Sequence, residues 1–267
     1  MNLHDYFFKN KKKFIIYSII LSSFFLSIFV SNFYLEKYDK YEAFQNNDHP
    51  MLKIAVNNHW SEANQIIQDF KLNKNFFKSG KVNEDEFLPQ KILALYYLSN
   101  EQNMYNKKFV EINNGKFLYL SIKSFFYFFF IFLFYQKYTS YFGDKFLVPI
   151  ILFLCIFPDI FQYQISFWNE SYTLIFILIL SLQIIKFEKK SLKNFFLGIT
   201  AALPYLTGQE YIFYIFVFIF YYIFIFLYYK LNVLKYILSF VLGYSLILLS
   251  VSLINSKKTE EKNLNVY

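Results

Sequence analysis

Seven long apolar stretches, separated by short turns that carry lysine and by one polar loop of about 80 residues, constrain this chain more than any other feature. A helix needs about 20 mostly apolar residues to cross the hydrocarbon core of a bilayer, and several stretches reach that length. Runs such as 125–135 and 212–229, made almost entirely of Phe, Tyr, Ile and Leu, would be insoluble without lipid or other helices around them. They lack the polar–apolar alternation of membrane barrel strands. The sequence therefore predicts an all-α fold, a polytopic membrane bundle of about seven transmembrane helices.

The charged residues support a membrane partner rather than a nucleic acid. All basic residues are lysine and the formal net charge is +8. Most lysines stand at the ends of apolar stretches, where they orient helices in the bilayer. The complete absence of Arg, together with abundant Asn, Ile and Phe, is typical of an AT-rich bacterial genome. The single Cys155 forms no internal disulfide.

Charge and length predict a single integral membrane domain over 1–267. The lysines of residues 1–13 place the N-terminus in the cytoplasm. The first span, 14–34, is longer than the apolar part of a signal peptide and lacks a small-residue cleavage site, which favours an uncleaved anchor. The loop 35–116 is then extracytoplasmic. Spans two to seven occupy 117–254, and a tail follows at 255–267.

The later spans are predicted from apolar length and basic flanks. They are 117–136, 146–166, 171–187, a hairpin within 194–229 and 235–254. Both flanks of the hairpin are basic, so the positive-inside rule requires an even number of crossings between them. We expect a short helix to about 206, a reversal at 207–210 and a full span over 211–229.

The long loop is predicted to contain two amphipathic helices. Residues 54–70 and 88–98 carry apolar side chains at roughly helical spacing. Helices of this kind lie on the bilayer surface or against a bundle.

Three segments, in this order along the chain, carry a family resemblance. They are NDHPMLKIA (47–55), FPDIFQYQISFWNESYTLIFILIL (157–180) and GITAALPYLTGQEYIFY (198–214). Together they resemble bacterial members of the GT-C glycosyltransferase superfamily, the group related to protein O-mannosyltransferases and aminoarabinose transferases. Two departures stand out. Gly208 occupies the position where the family's hairpin has a basic residue, and the chain matches the seven-span core without a C-terminal periplasmic domain. It is therefore expected to be a minimal enzyme, a fragment or an inactive relative.

The resemblance implies a function and a base. Such an enzyme moves a sugar, with inversion, from a polyprenyl-phosphate donor to an envelope lipid, glycan or protein acceptor at the bacterial inner membrane. A carboxylate of the first loop acts as general base. Asp48, within Asp48-His49-Pro50, is the first choice, and Asp39 and Glu42 are the alternatives. Against this stands a purely structural role for Asp48 as a helix N-cap or a solvated loop residue.

Four residues are predicted to bind substrate: Lys123, Glu170, Glu210 and His49. Lys123 lies about two turns into the second span from its outer side, where it would hold the donor phosphate in place of the missing Arg. The alternative is a lysine whose ammonium snorkels to the interface. The two glutamates bind substrate or mark helix ends, and His49 assists Asp48 or is a surface residue. The sequence has no metal-ligand spacing and names no certain cofactor, but it leaves room for a divalent metal ion.

Two other classes of protein stay open. One is a non-catalytic integral membrane protein, either a degenerate relative or a subunit of an envelope complex. The other is a transporter or flippase, which the lack of an internal inverted repeat disfavours. The expected partners are the polyprenyl-phosphate sugar donor and the bilayer.

Overall fold

A computed structural model describes residues 11–40, 63, 65–72, 75–76, 79, 87–99, 109–165, 170–184, 188–207, 214–229 and 233–264. Across these ranges the regular structure is helical, without a strand. The helices are α1 (Lys11–Lys40), α2 (Phe87–Ser99), α3 (Phe109–Phe142), α4 (Asp144–Ile156), α5 (Pro158–Ile165), α6 (Glu170–Ile184), α7 (Ser191–Ala202), the 3₁₀ helix η1 (Pro204–Thr207), α8 (Tyr214–Tyr229) and α9 (Leu234–Leu264). The predicted all-α class is confirmed.

Three of the described helices are long and apolar enough to cross a membrane. They are Lys11–Phe33 in α1, Phe117–Phe142 in α3 and Leu234–Leu253 in α9. They coincide with the first, second and seventh predicted spans. Two shorter apolar helices, Glu170–Ile184 and Phe216–Tyr228, fall on the fourth span and the second arm of the predicted hairpin. At about 1.5 Å per residue these two are shorter than a hydrocarbon core of about 30 Å.

The third predicted span, 146–166, is two helices rather than one. Pro158 has no N–H, so the carbonyl of Leu154 cannot receive the helical hydrogen bond that a residue at 158 would donate. The helix ends at this point, and Pro158 becomes the first residue of α5, a position that proline favours. The buried hydroxyl of Tyr127 donates to the freed Leu154 carbonyl at 2.9 Å. A side chain of α3 thus supplies the hydrogen bond that the Leu154 carbonyl lacks at the break.

The chain divides into two compact units. Unit 1 comprises Met1–Val56 and Tyr105–Ser171, and unit 2 comprises Asn57–Met104 and Tyr172–Tyr267.

In unit 1, α1 and α3 pack as an antiparallel pair. Near the start of α1, Tyr17 contacts the rings of Phe132 and Tyr135. Farther along α1, Phe24 contacts Phe128, which comes earlier in α3. Contacts that advance along one helix and retreat along the other define opposite directions. The end of α1 that leads toward the polar loop therefore lies at the same end of unit 1 as the start of the α3 span.

The broken pair α4–α5 also runs back along α3. The Tyr135 hydroxyl donates to Asp144 at 3.1 Å, at the start of α4. The Tyr127 hydroxyl, two turns earlier in α3, donates to Leu154 near the end of α4. Gly143 makes the preceding turn with φ +70°, a region that suits glycine.

In unit 2, α7 and α9 cross at two glycines. A Cβ on Gly198 would lie 2.1 Å from the Phe240 carbonyl oxygen, and one on Gly243 would lie 2.1 Å from that of Phe195. Each glycine therefore admits the backbone of the opposing helix. The surrounding core consists of Leu180, Leu197, Ala201, Ala202, Phe218, Tyr222, Ile225, Val233, Tyr236, Phe240 and Tyr244.

α2 forms over the stretch predicted to be helical at 88–98. Its Lys91 is buried and donates from Nζ to the carbonyls of Phe76 and Ser79, each at 2.6 Å. α2 also contacts η1, at the end of the predicted hairpin's first arm. Hydrogen bonds to two carbonyls offset the cost of burying an ammonium.

Candidate functional site

Two consecutive polar residues are buried within the apolar helix α3. Lys123 has 5% of its surface exposed and Ser124 has none. An ionisable side chain inside a spanning segment is costly and normally faces a protein interior or a polar cavity. Lys123 does so here, because only 5% of its surface is exposed. It is therefore not a lysine extended along the protein surface.

The charge of Glu170 acts on Lys123. It is the first residue of α6 and is half-buried, and its carboxylate interacts electrostatically with the Lys123 ammonium. Near the amino end of a helix, a carboxylate is also favoured by the helix dipole. The two residues that the sequence predicted independently as substrate ligands are thus brought together in unit 1.

Gln164, in the last turn of α5, completes this group. Its side chain is fully buried, and its backbone carbonyl accepts a hydrogen bond of 3.3 Å from the Ser124 hydroxyl. Neither Oε1 nor Nε2 of its amide has a hydrogen-bond partner among the residues that the structure describes. Buried amides are nearly always paired, so this one needs an explanation. We call Lys123, Ser124, Gln164 and Glu170 the polar cluster.

The other predicted site residues are placed less fully. The backbone of Asp39 lies in the last turn of α1. Asp48, Glu42, His49 and Glu210 lie outside the described residues, so their roles stay predictions.

Sequence reasoning did not single out Ser124 or Gln164. Gln164 had one visible signal, since it is one of two glutamines that interrupt the apolar stretch ending near Ile165. A polar interruption of a span is ambiguous on its own, because it also fits a helix end. The contact with Ser124, forty positions earlier, comes from tertiary packing.

The described ranges contain no group of three or more His, Cys, Asp or Glu side chains placed to hold a metal ion. The polar cluster itself offers one cation, one carboxylate and one amide, and its hydroxyl already donates to the Gln164 carbonyl. Such a set suits an anionic headgroup that also carries hydroxyls, with the ammonium facing the anion. It provides charge and hydrogen bonds inside an apolar bundle, where both are stronger than in water.

Comparison with protein-family models, with curated proteins and with solved structures gave no match.

Proposed function

We propose that this chain is a membrane glycosyltransferase that moves a sugar from a polyprenyl-phosphate donor to an envelope lipid, glycan or protein. The observation that carries the proposal is the buried Lys123 in the α3 span, on which the Glu170 carboxylate acts electrostatically. A soluble donor would not require a cation within a membrane helix. A donor whose phosphate is attached to an isoprenoid chain enters from the bilayer, so its phosphate meets the protein at the depth of such a cation.

Lys123 would stabilise the departing phosphate. As the bond between the anomeric carbon and the phosphate oxygen breaks, its electron pair stays on that oxygen and negative charge grows there. An ammonium held in a low-dielectric site stabilises this charge more than one in water. Glu170 balances the ammonium before the donor binds and can then accept hydrogen bonds from sugar hydroxyls.

Asp48 would supply the base. Its carboxylate takes the proton of the acceptor hydroxyl as that oxygen attacks the anomeric carbon from the face opposite the phosphate, which inverts the configuration. Asp48 follows the end of α1 by eight positions in the sequence. The antiparallel packing of α1 and α3 puts that end of α1 on the same side of unit 1 as Lys123. The proposed location is the bacterial inner membrane, with the N-terminus cytoplasmic and 35–116 extracytoplasmic.

The test is transfer of radiolabelled sugar from a panel of polyprenyl-phosphate donors to endogenous acceptors, in membranes that carry equal amounts of each variant. We expect Asp48→Asn to abolish incorporation and Lys123→Met to lower kcat/KM by about 100-fold. Parallel reactions with Mg²⁺, Mn²⁺ or EDTA measure metal dependence.

Lys137→Met is the matched control, because Lys137 lies in the same helix but is exposed. It should leave transfer unchanged. Full activity in Lys123→Met would remove the lysine from donor binding. No incorporation by the wild type with any donor would favour the non-catalytic membrane protein instead.

A further inference from the structure

We propose that the side-chain amide of Gln164 binds the sugar of the lipid-linked donor, next to the phosphate held by Lys123. This inference rests on the proposed function and deepens it, because it assigns the part of the site that recognises the glycosyl group. It makes Gln164 a residue that separates a sugar-carrying lipid from the bare lipid phosphate.

The burial of the amide is the first observation. Gln164 has no exposed surface, yet both polar atoms of its side chain lack a partner among the described residues. An amide offers two donor hydrogens and one acceptor oxygen, and leaving them unpaired in an apolar interior is unfavourable. A residue selected for packing alone would be Leu or Met at this position. An amide waiting for a polar ligand accounts for the unpaired atoms.

Position is the second observation. The Ser124 hydroxyl bonds to the backbone carbonyl of Gln164, and Ser124 directly follows Lys123 in α3. Gln164 is the second-last described residue before 166–169 and Glu170 is the first one after them, and both belong to unit 1. The backbone of Gln164 is therefore at the same level of α3 as Lys123 and Ser124.

The chemistry of the amide selects the ligand group. The Lys123 ammonium already binds the phosphate, so a neutral amide adds little to phosphate recognition. The amide is both a donor and an acceptor, and it can therefore form hydrogen bonds with two adjacent sugar hydroxyls. A site built to pair with hydroxyls discriminates against a ligand that lacks them, because its own polar groups are then left unpaired. The ligand class is thus a glycosyl group joined to a lipid phosphate.

Binding to the purified full-length chain in lipid nanodiscs tests this assignment. The probes are polyprenyl phosphate, polyprenyl-phosphate mannose and polyprenyl-phosphate glucose. We expect the wild type to bind at least one sugar-carrying lipid about 10-fold more tightly than polyprenyl phosphate. Gln164→Met should bind all three with the affinity of the bare lipid phosphate. Lys123→Met should bind all three more weakly, since it loses the phosphate contact.

The thermal stability of the ligand-free variants separates a ligand-binding amide from a structural one. Gln164→Met removes an unpaired amide at nearly constant volume, so its unfolding midpoint should equal or exceed that of the wild type. Gln164→Asn keeps the amide but shortens it by one methylene, and it should also lose the preference for sugar. Tyr244→Phe is the matched control in unit 2, because it removes a different buried polar group, a hydroxyl without a partner among the described residues. Tyr244→Phe should leave the affinities for all three lipids unchanged.

Four outcomes overturn the assignment. If Gln164→Met does not fold or melts well below the wild type, the amide serves the fold. If Gln164→Met and Gln164→Asn keep the wild-type preference for sugar, another group reads the sugar. A wild type that binds all three lipids equally has no sugar subsite, although its phosphate site would stand. A wild type that binds none of them removes the proposed function together with this inference.

Discussion

At the scale of single residues, the Tyr127 hydroxyl does a task that the backbone of α4 cannot do for itself. It donates to the Leu154 carbonyl, which Pro158 leaves without its helical donor. No water is present in an apolar bundle to donate to this carbonyl, so the tyrosine hydroxyl supplies the missing hydrogen bond. The position of the proline is visible in the sequence, whereas its partner 27 positions earlier is not.

Tyr127→Phe is therefore expected to lower the free energy of unfolding by about 1–3 kcal/mol, the cost of leaving a buried acceptor unpaired. The unfolding midpoint is measured in detergent by heating the protein and using size-exclusion chromatography to quantify what remains folded. Tyr141→Phe is the control, because Tyr141 is 60% exposed and should have no effect. An unchanged midpoint for Tyr127→Phe would mean that the carbonyl finds another donor.

The Lys123–Glu170 pair behaves differently from an ion pair on the surface. Removing the carboxylate alone leaves a buried ammonium without the charge of Glu170, whereas removing both charges leaves two neutral side chains. The described Lys193–Glu188 pair has a 2.6 Å contact but is more than one-third exposed on both sides. Solvent screens such a pair, so its two members should act almost independently.

We accordingly predict that Glu170→Gln destabilises the chain and that Lys123→Met in the same molecule restores much of the loss. The coupling free energy from this double-mutant cycle should be about 0.5–3 kcal/mol. The matched cycle with Lys193→Met and Glu188→Gln should give close to zero. Equal coupling in the two cycles would contradict the special environment assigned to Lys123.

At the scale of whole elements, glycines decide how closely α7 and α9 approach. Gly198 and Gly243 each face the backbone of the other helix, and neither has room for a methyl group. Lipid tails are as apolar as the side chains, so burying apolar surface does not by itself favour helix association over contact with lipid. Membrane helices associate instead through close van der Waals packing, which small residues at the crossing permit. The sequence shows these glycines inside apolar stretches but does not show that they face each other.

Gly198→Ala and Gly243→Ala should each destabilise unit 2 by about 1–3 kcal/mol, because the added methyl group forces the helices apart. Ser252→Thr adds a methyl group to an exposed position of α9 and should be neutral. Proteolysis of the purified variants across a temperature range reads the loss of packing. Wild-type resistance in both alanine variants would show that α7 and α9 do not depend on this crossing.

At the scale of the whole molecule, three of the described helices are long and apolar enough to span a membrane. The distribution of lysines predicts which side each end occupies. The N-terminal segment should be cytoplasmic, and the loop that contains α2 should be extracytoplasmic.

Cysteine labelling tests that orientation in a Cys155→Ala background. Lys12→Cys and Leu72→Cys place thiols at two exposed positions, one at the start of α1 and one in the long loop. A membrane-impermeant maleimide should label Leu72→Cys in intact bacteria and Lys12→Cys only after permeabilisation. The reverse pattern would invert the topology and place the proposed base on the wrong side of the membrane.

The sequence by itself determined the class of this protein and the location of its longest helices. Apolar length is a local property, so α1, α3 and α9 follow from it directly, and α2 follows from the spacing of apolar residues at 88–98. The same reasoning joined α4 and α5 into one span, because hydropathy averages over Pro158 and does not register one missing N–H.

Tertiary structure alone decided which polar residues of unit 1 are buried near one another. The charges of Lys123 and Glu170 were both visible in the sequence. The structural alternative for Lys123 was an ammonium that snorkels to the interface, and the alternative for Glu170 was a role at a helix end. Packing α5 against α3 places Gln164 beside Ser124. Lys123, the preceding residue of α3, has only 5% of its surface exposed. The physical reason is that burial of a polar group, and hence its cost and its use, depends on residues distant in the chain. A local pattern of side chains does not show which distant residues will cover a polar group.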